Sequence, residues 1–374
     1  MAALLLVGFA DEWFTFLPAG AFEALRLDLG LTYAQAGLIL AALSLGGLLG
    51  MTFEVAADYV SRRWLAASGA AAYGAAMIVF GLGDGFWTLL AAAFVWGAAS
   101  DAFIHGCEVA LVDLAPGPQL PRALARQHAW SAVGDLLAPA SLAAAALAGL
   151  DWRGLFLGGG GLMLAYGAWL SAYRFPPPAP PSGHETPLRG LLAVMRDGRV
   201  LLIGAIMGLY GLLDEPLVAF LIARLEDQGH SRAAAVMLPL GLLVGGFVGF
   251  ILAERLAAGR AARDLIRPAA GVMALSLPPA LFAPGWALVP AGFVFGMAGA
   301  VFYTALQACM LSLRPGQAGS TSAVVSAIGL AGAAFPALVG AVADAWGLGA
   351  GLALYAATPL LVLVLVLRLD LRGA

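Results

Sequence analysis

The sequence predicts an all-α polytopic membrane protein: twelve transmembrane helices in two pseudo-symmetric six-helix halves. Three observations carry that prediction. Hydrophobic residues make up 62% of the 374 positions and charged residues 11%, with a mean hydropathy of +0.92. A soluble domain carries about 25% charged residues. Apolar runs of about 20 residues recur along the whole length, the span a bilayer requires. Finally, the stretch 94–117 returns 199 residues later as 293–316 without a gap. Phe94, Val95, Gly97, Ala99, Phe103, Leu114, Pro116 and Gly117 are identical in the two copies.

The spans are expected at 2–24, 33–56, 64–83, 86–113, 122–148 and 153–174 in the first half. In the second half they fall at 199–223, 232–254, 265–283, 286–313, 319–344 and 349–368. Span 1 carries Asp11 and Glu12 where a cleavable leader would run uninterrupted apolar, and it has no basic flank. It is therefore expected to be retained as a helix. Span 2 carries Gly46-x3-Gly50, and span 8 carries Gly241-x3-Gly245-x3-Gly249. Such spacing lets two helix backbones approach closely. Span 4 holds Asp101, His105 and Glu108, and span 5 holds Asp135 between Gly134 and Pro139. Span 7 holds Asp214 and Glu215, with Phe220-Leu221 after them as Phe16-Leu17 follow Asp11-Glu12 in span 1. That echo pairs Asp11-Glu12 with Asp214-Glu215. Span 10 presents Ala300, Thr304 and Gln307 where span 4 has its acidic stripe.

The halves 1–174 and 199–374 are joined by 175–198, which reads PPPAPP and then SGHETP. Proline blocks helix continuation there and favours an extended linker. Arginine placement orients the chain. With both termini in the cytoplasm, fifteen of the nineteen arginines are cytoplasmic; only Arg26, Arg153, Arg224 and Arg232 lie outside.

Several chemistries have no support. All nineteen basic residues are arginine, so there is neither a P-loop lysine nor a Schiff-base lysine. HExxH, CxxC and GxSxG are absent. Cys107 and Cys309 lie in apolar helices and suggest no disulfide framework. A net charge of −3 does not imply a nucleic-acid partner. No enzyme activity, cofactor or metal site is expected.

The end of span 2 reads Glu54-Val-Ala-Ala-Asp58-Tyr59-Val60-Ser61-Arg62-Arg63. It resembles the G-x-x-x-D-R-x-G-R-R loop of the major facilitator superfamily of secondary transporters. Asp58, Arg62 and Arg63 match that loop, while Glu54, Tyr59 and Ser61 depart from its Gly, Arg and Gly. Glu254, Arg255, Gly259 and Arg260 form a looser second copy. Asp151-Trp152-Arg153 before span 6 and Pro336-x3-Gly340-x3-Asp344 in span 11 are similar to further runs of the family. The resemblance implies that spans 1, 4, 7 and 10 line a central cavity and that spans 2, 5, 8 and 11 join the halves.

Seven carboxylates fall at mid-membrane depth: Asp11, Glu12, Asp101, Glu108, Asp135, Asp214 and Glu215. Facing lipid, they would cost roughly 17–25 kcal/mol together. They therefore line water or carry protons, and both suit a proton-coupled carrier. With His105, Thr304 and Gln307 they are the candidate substrate and proton residues. Adjacent helical residues point about 100° apart, so one member of each acidic pair is expected to face a neighbouring helix. Glu54, Asp58, Arg62, Arg63, Asp113, Glu254 and Arg255, near the cytoplasmic ends, are the candidate gate. Trp13, Phe14, Phe103, Tyr210, Phe302 and Tyr303 share the cavity spans, and aromatic walls with acidic groups suit a lipophilic cation.

The resulting expectation is a proton-coupled exporter of small amphipathic or cationic organic compounds, working by alternating access as a monomer in a bacterial inner membrane. Its partners would be a small-molecule substrate, protons and the lipid bilayer. Two alternatives stay open: a divalent-metal transporter using His105 with carboxylates, and a non-transporting receptor or scaffold on the same fold.

Overall fold

The computed structural model describes residues 2–56, 61–114, 120–175, 194–257, 261–313 and 318–369. Most of the linker 175–198 and Asp58 of the candidate gate lie outside the described residues. The chain divides into two compact units, Met1–Ser182 and Gly183–Ala374. Ten helical segments are long and apolar enough to cross a membrane, and an eleventh is made by a bent pair at the N-terminus. Span 2 is the helix Tyr33–Ala56, whose stretch Tyr33–Gly47 is apolar.

Several spans run unbroken: Arg62–Leu82, Phe86–Leu114, Leu120–Leu147, Trp152–Ala172, Ala262–Phe282, Leu288–Ser312 and Leu348–Arg368. Four expected continuous spans are instead interrupted. Span 1 is Ala2–Thr15, Leu17–Gly20 and Phe22–Asp28, with a 47° bend before the last piece. Span 7 is Gly198–Gly211 and Glu215–Asp227. Span 8 is Arg232–Met237 and Leu240–Ala257, and span 11 is Ala318–Gly329 and Phe335–Trp346. A proline stands at one break in each of the four: Pro18, Pro216, Pro239 and Pro336, while the bend at Ala21 has none. Proline has no N–H for the carbonyl four residues back, and its ring clashes with that carbonyl. Pro139, Pro268, Pro278, Pro279 and Pro359 sit inside unbroken helices. Membrane helices tolerate proline where neighbouring groups take up the freed carbonyl.

Each unit repeats one packing scheme. In the first, span 4 packs on spans 2 and 3, span 3 on span 6, and span 1 on span 5. In the second, span 10 packs on spans 8 and 9, span 9 on span 12, and span 7 on span 11. The span 2–span 4 crossing is glycine-mediated: a Cβ at Gly46 would fall on the Phe94 carbonyl, and one at Gly97 on the Leu43 carbonyl. In the second unit Gly245 meets the Phe293 carbonyl and Gly296 the Leu242 carbonyl in the same way. All four positions keep the 199-residue offset. Gly241 and Gly249 extend the second crossing by a turn each way, against the Val289 and Met297 carbonyls. Trp87 and Trp286, also 199 apart, are both exposed at the starts of spans 4 and 10. Exposed tryptophans at span ends suit the membrane–water interface.

Arginine closes the end of span 3 in one unit and of span 9 in the other. Arg153 donates to the Gly81 and Gly83 carbonyls at 3.0 and 2.8 Å, and pairs with Asp28 at 3.1 Å. Arg224 donates to the Leu281 carbonyl at 2.6 Å and lies over the Phe282 ring. Charge-assisted hydrogen bonds contribute about 1.5–3 kcal/mol each. Arg153→Ala should therefore destabilise the purified protein by about 2 kcal/mol or more, read as an earlier midpoint in thermal or SDS unfolding. An unchanged midpoint would show that water replaces the clip at no cost.

Candidate functional site

Asp11 and Glu12 diverge. Asp11 turns toward span 4, where the Ser100 hydroxyl donates to its Oδ1. Thr15, one turn on, reaches the same carboxylate and shares a 3.2 Å hydrogen bond with the Tyr73 hydroxyl. That hydroxyl also lies 3.5 Å from the Asp11 carbonyl. Tyr73 is fully buried, so the lattice around Asp11 is held by spans 1, 3 and 4. Glu12 turns toward span 5, where a Cβ at Gly134 would lie 3.2 Å from the Glu12 Cβ.

The stripe on span 4 is divided along its length. Asp101 is directed at span 2, its Oδ2 lying 3.0 Å from where a Cβ at Gly47 would stand. Two turns further, the Glu108 Oε1 accepts a 3.0 Å hydrogen bond from Gln127 Nε2 of span 5. His105 Nδ1 lies 4.0 Å from the other Glu108 oxygen. Glu108 is also within electrostatic range of Asp11. The structure thus sets two clusters about two turns apart along span 4, Asp11 with Ser100, Thr15 and Tyr73, and Glu108 with His105 and Gln127; within electrostatic range of each other, they form the Asp11–Glu108 constellation, while Asp101 faces span 2. Asp135 is half-buried in span 5 beside Gly134. Among the described residues, no group of three or more His, Cys, Asp or Glu side chains could hold a metal ion.

In the second unit, Asp214 sits at the interruption of span 7 and is exposed, although it lies mid-span. It acts electrostatically on the phenols of Tyr210 and Tyr303, whose rings stack at 5.6 Å. Glu215 opens the helix that follows and is half-buried. Thr304 donates its hydroxyl to the Ala300 carbonyl of its own helix at 2.8 Å, so that donor is already used. Gln307 is half-buried.

The pairing of Asp11-Glu12 with Asp214-Glu215 needs correction. Asp11 contacts Ser100 in one unit, and Tyr210 approaches Gly299 in the other, its hydroxyl 3.2 Å from a Cβ there. Both pairs keep the 199-residue offset, so Tyr210 is the counterpart of Asp11. Asp214 lies one turn further along, where Thr15 follows Asp11 in the first unit.

Of the candidate gate, Arg62 is buried at the start of span 3, and the Arg63 guanidinium lies over the Trp64 ring at 5.3 Å. Glu254 and Arg255 are exposed at the end of span 8. The side chains of Glu54 and Asp113, like Asp58, lie outside the described residues.

A model of the Major Facilitator Superfamily matches residues 4–336. The chain belongs to that superfamily. Solved structures of the superfamily's fold superpose over nearly the whole length. A point mutant of the nucleoside transporter NupG matches with a TM-score of 0.81 at 13% identity, covering 98% of this chain and 99% of that one. The D-xylose–proton symporter matches with a TM-score of 0.78 at 15% identity, covering 100% and 98%. A bacterial homolog of the human lysosomal transporter Spinster, inward-facing and unoccupied, matches with a TM-score of 0.68 at 17% identity, covering 100% and 94%. No curated protein matches the sequence. At these identities the likeness is one of fold. Within it, this superfamily member places an acidic, hydrogen-bonded constellation in its first unit and an aromatic corner with one exposed carboxylate in its second.

Proposed function

We propose that this superfamily member is a proton-coupled secondary transporter that exports small amphipathic or cationic organic compounds by alternating access. It acts as a monomer in a bacterial inner membrane with both termini cytoplasmic, and takes no cofactor and no nucleic acid. The observation that carries the reading is the Asp11–Glu108 constellation. Neither carboxylate has an arginine partner among the described residues; the Ser100 hydroxyl donates to Asp11 and the Gln127 amide to Glu108, with His105 4.0 Å from the second oxygen of Glu108. A carboxylate so placed is costly when charged and uncompensated. It holds a proton in the empty carrier and gives it up when a cationic cargo enters the cavity. That exchange of charge couples outward cargo movement to inward proton movement. Cargo binds near the midplane, and rocking of the halves alternates access. Span 4 crosses span 2 through backbone contact at Gly46 and Gly97, so a charge change on span 4 is passed to a rigid pair of helices.

The metal alternative is less well supported, because His105 and Glu108 have no third ligand among the described residues. The receptor alternative gives no reason to keep interior carboxylates without an arginine partner among the described residues.

A proteoliposome screen tests the proposal. With an imposed pH gradient and a panel of organic cations, nucleosides, sugars and divalent metals, an organic cation should move against its gradient. Movement confined to sugars, nucleosides or metals, or indifferent to the pH gradient, would overturn it. Orientation is tested separately. Reporter fusions within 175–198 and at the C-terminus should both report cytoplasm, and a periplasmic signal from either would reverse the topology.

A further inference from the structure

The interruption of span 7 leaves a gap in the backbone hydrogen-bond ladder. Pro216 has no N–H for the Leu212 carbonyl. The N–H of Leu217 bonds to the Asp214 carbonyl at 2.9 Å instead of reaching Leu213. The N–H of Glu215 turns to the Asp214 side chain. Among the described residues, no donor reaches the carbonyls of Gly211, Leu212 or Leu213. Gly211 and Asp214 are both exposed at the break, and a Cβ at Gly211 would meet no heavy atom within 4 Å. No cationic side chain is paired with Asp214 among the described residues. Beside it stand the stacked rings of Tyr210 and Tyr303, both half-buried.

This corner offers acceptors and aromatic faces. A carboxylate supplies charge, aromatic faces attract a cation, and unwound backbone carbonyls in a membrane helix coordinate cations or take N–H donors. A quaternary ammonium could use the charge and the rings, and only a cation bearing N–H could also satisfy the carbonyls. We propose that the span 7 break, with Asp214, Tyr210 and Tyr303, is the recognition site for the cargo's protonated amine, and that it selects ammonium groups carrying N–H over fully methylated ones. This rests on the reading of the cargo as a cation. It adds that recognition of that charge lies in the second unit, apart from the Asp11–Glu108 constellation.

The test is direct binding to the purified full chain, by calorimetry at neutral pH, of benzylamine and its N-methyl, N,N-dimethyl and N,N,N-trimethyl derivatives. All four are cations there. Affinity should fall with each N–H removed, by about tenfold or more from primary to quaternary, as each lost charge-assisted bond is worth about 1.5–3 kcal/mol before desolvation is offset. Asp214→Asn should remove binding of the whole series and Asp214→Glu should restore part of it. Tyr303→Phe should bind as the unaltered protein does, whereas Tyr303→Leu should weaken every member. Equal affinity across the series in the unaltered protein would overturn the proposal without recourse to any variant. So would full binding by Asp214→Asn, or sodium ions alone binding with the same Asp214 dependence while the amines do not. Failure of proton coupling is a separate outcome: amines that bind as described but move without regard to a pH gradient would sink the transport mechanism and leave this site standing.

Discussion

Asp11→Asn and Glu108→Gln, made one at a time, should bring gradient-driven transport down to the level of protein-free liposomes. At least one of the two should still exchange cargo across the membrane at near-normal rates. The amide copies the protonated carboxyl in shape and charge but cannot release the proton. A carrier locked in that form can reorient with cargo and cannot spend the proton gradient. Ser100→Ala should weaken coupling without abolishing it, because Thr15 still reaches the Asp11 carboxylate. Thr304→Ala, on span 10, should leave coupling unchanged, since that hydroxyl serves its own helix. Unimpaired gradient-driven transport by both single variants would remove the constellation from the mechanism and turn attention to Glu12, Asp101 and Asp135.

Gly97→Leu and Gly296→Leu should each yield little or no folded protein. Overpacking a core with side chains that can shift costs about 1–3 kcal/mol. Here the obstacle is a backbone carbonyl on a helix facing another helix, at Leu43 in one unit and Leu242 in the other. Neither helix can yield without opening its whole crossing. Gly154→Leu is the control, since nothing lies within 4 Å of a Cβ there. Monodisperse protein recovered after size exclusion is the readout. Normal recovery of Gly97→Leu would mean that spans 2 and 4 are further apart than described.

Much of this architecture was legible from residue types alone, because a membrane span needs only a long apolar run and a duplication needs only a repeated register. The 199-residue offset was visible in spans 4 and 10, where eight identities mark it. The same offset holds at the Gly46–Gly97 and Gly245–Gly296 crossings, where the backbones touch and only glycine fits. It also joins Asp11 to Tyr210, a pair with no chemical likeness. The Asp-Glu dipeptides at 11 and 214 suggest a different register, which side-chain contacts contradict. Proline marks a break in each of the four interrupted spans and equally marks three unbroken helices. Residue type alone does not separate the two cases. The partners of the acidic residues were hidden for a related reason. Ser100, Tyr73 and Gln127 meet Asp11 and Glu108 only because of how spans 1, 3, 4 and 5 rotate and cross. A periodicity of 3.6 gives the face of one helix but not which neighbour that face meets.

The central claim is that the Asp11–Glu108 constellation joins cargo movement and proton movement in one cycle. Cargo-driven proton flux tests it most directly. Purified protein is sealed in liposomes with a luminal pH indicator, a cationic cargo gradient is imposed with no initial pH difference, and proton movement is followed. The account predicts proton flux opposite in direction to cargo, arising only when cargo is present and absent from the Asp11→Asn, Glu108→Gln double variant. Cargo movement without proton flux in the unaltered protein, or undiminished flux in the double variant, would contradict it.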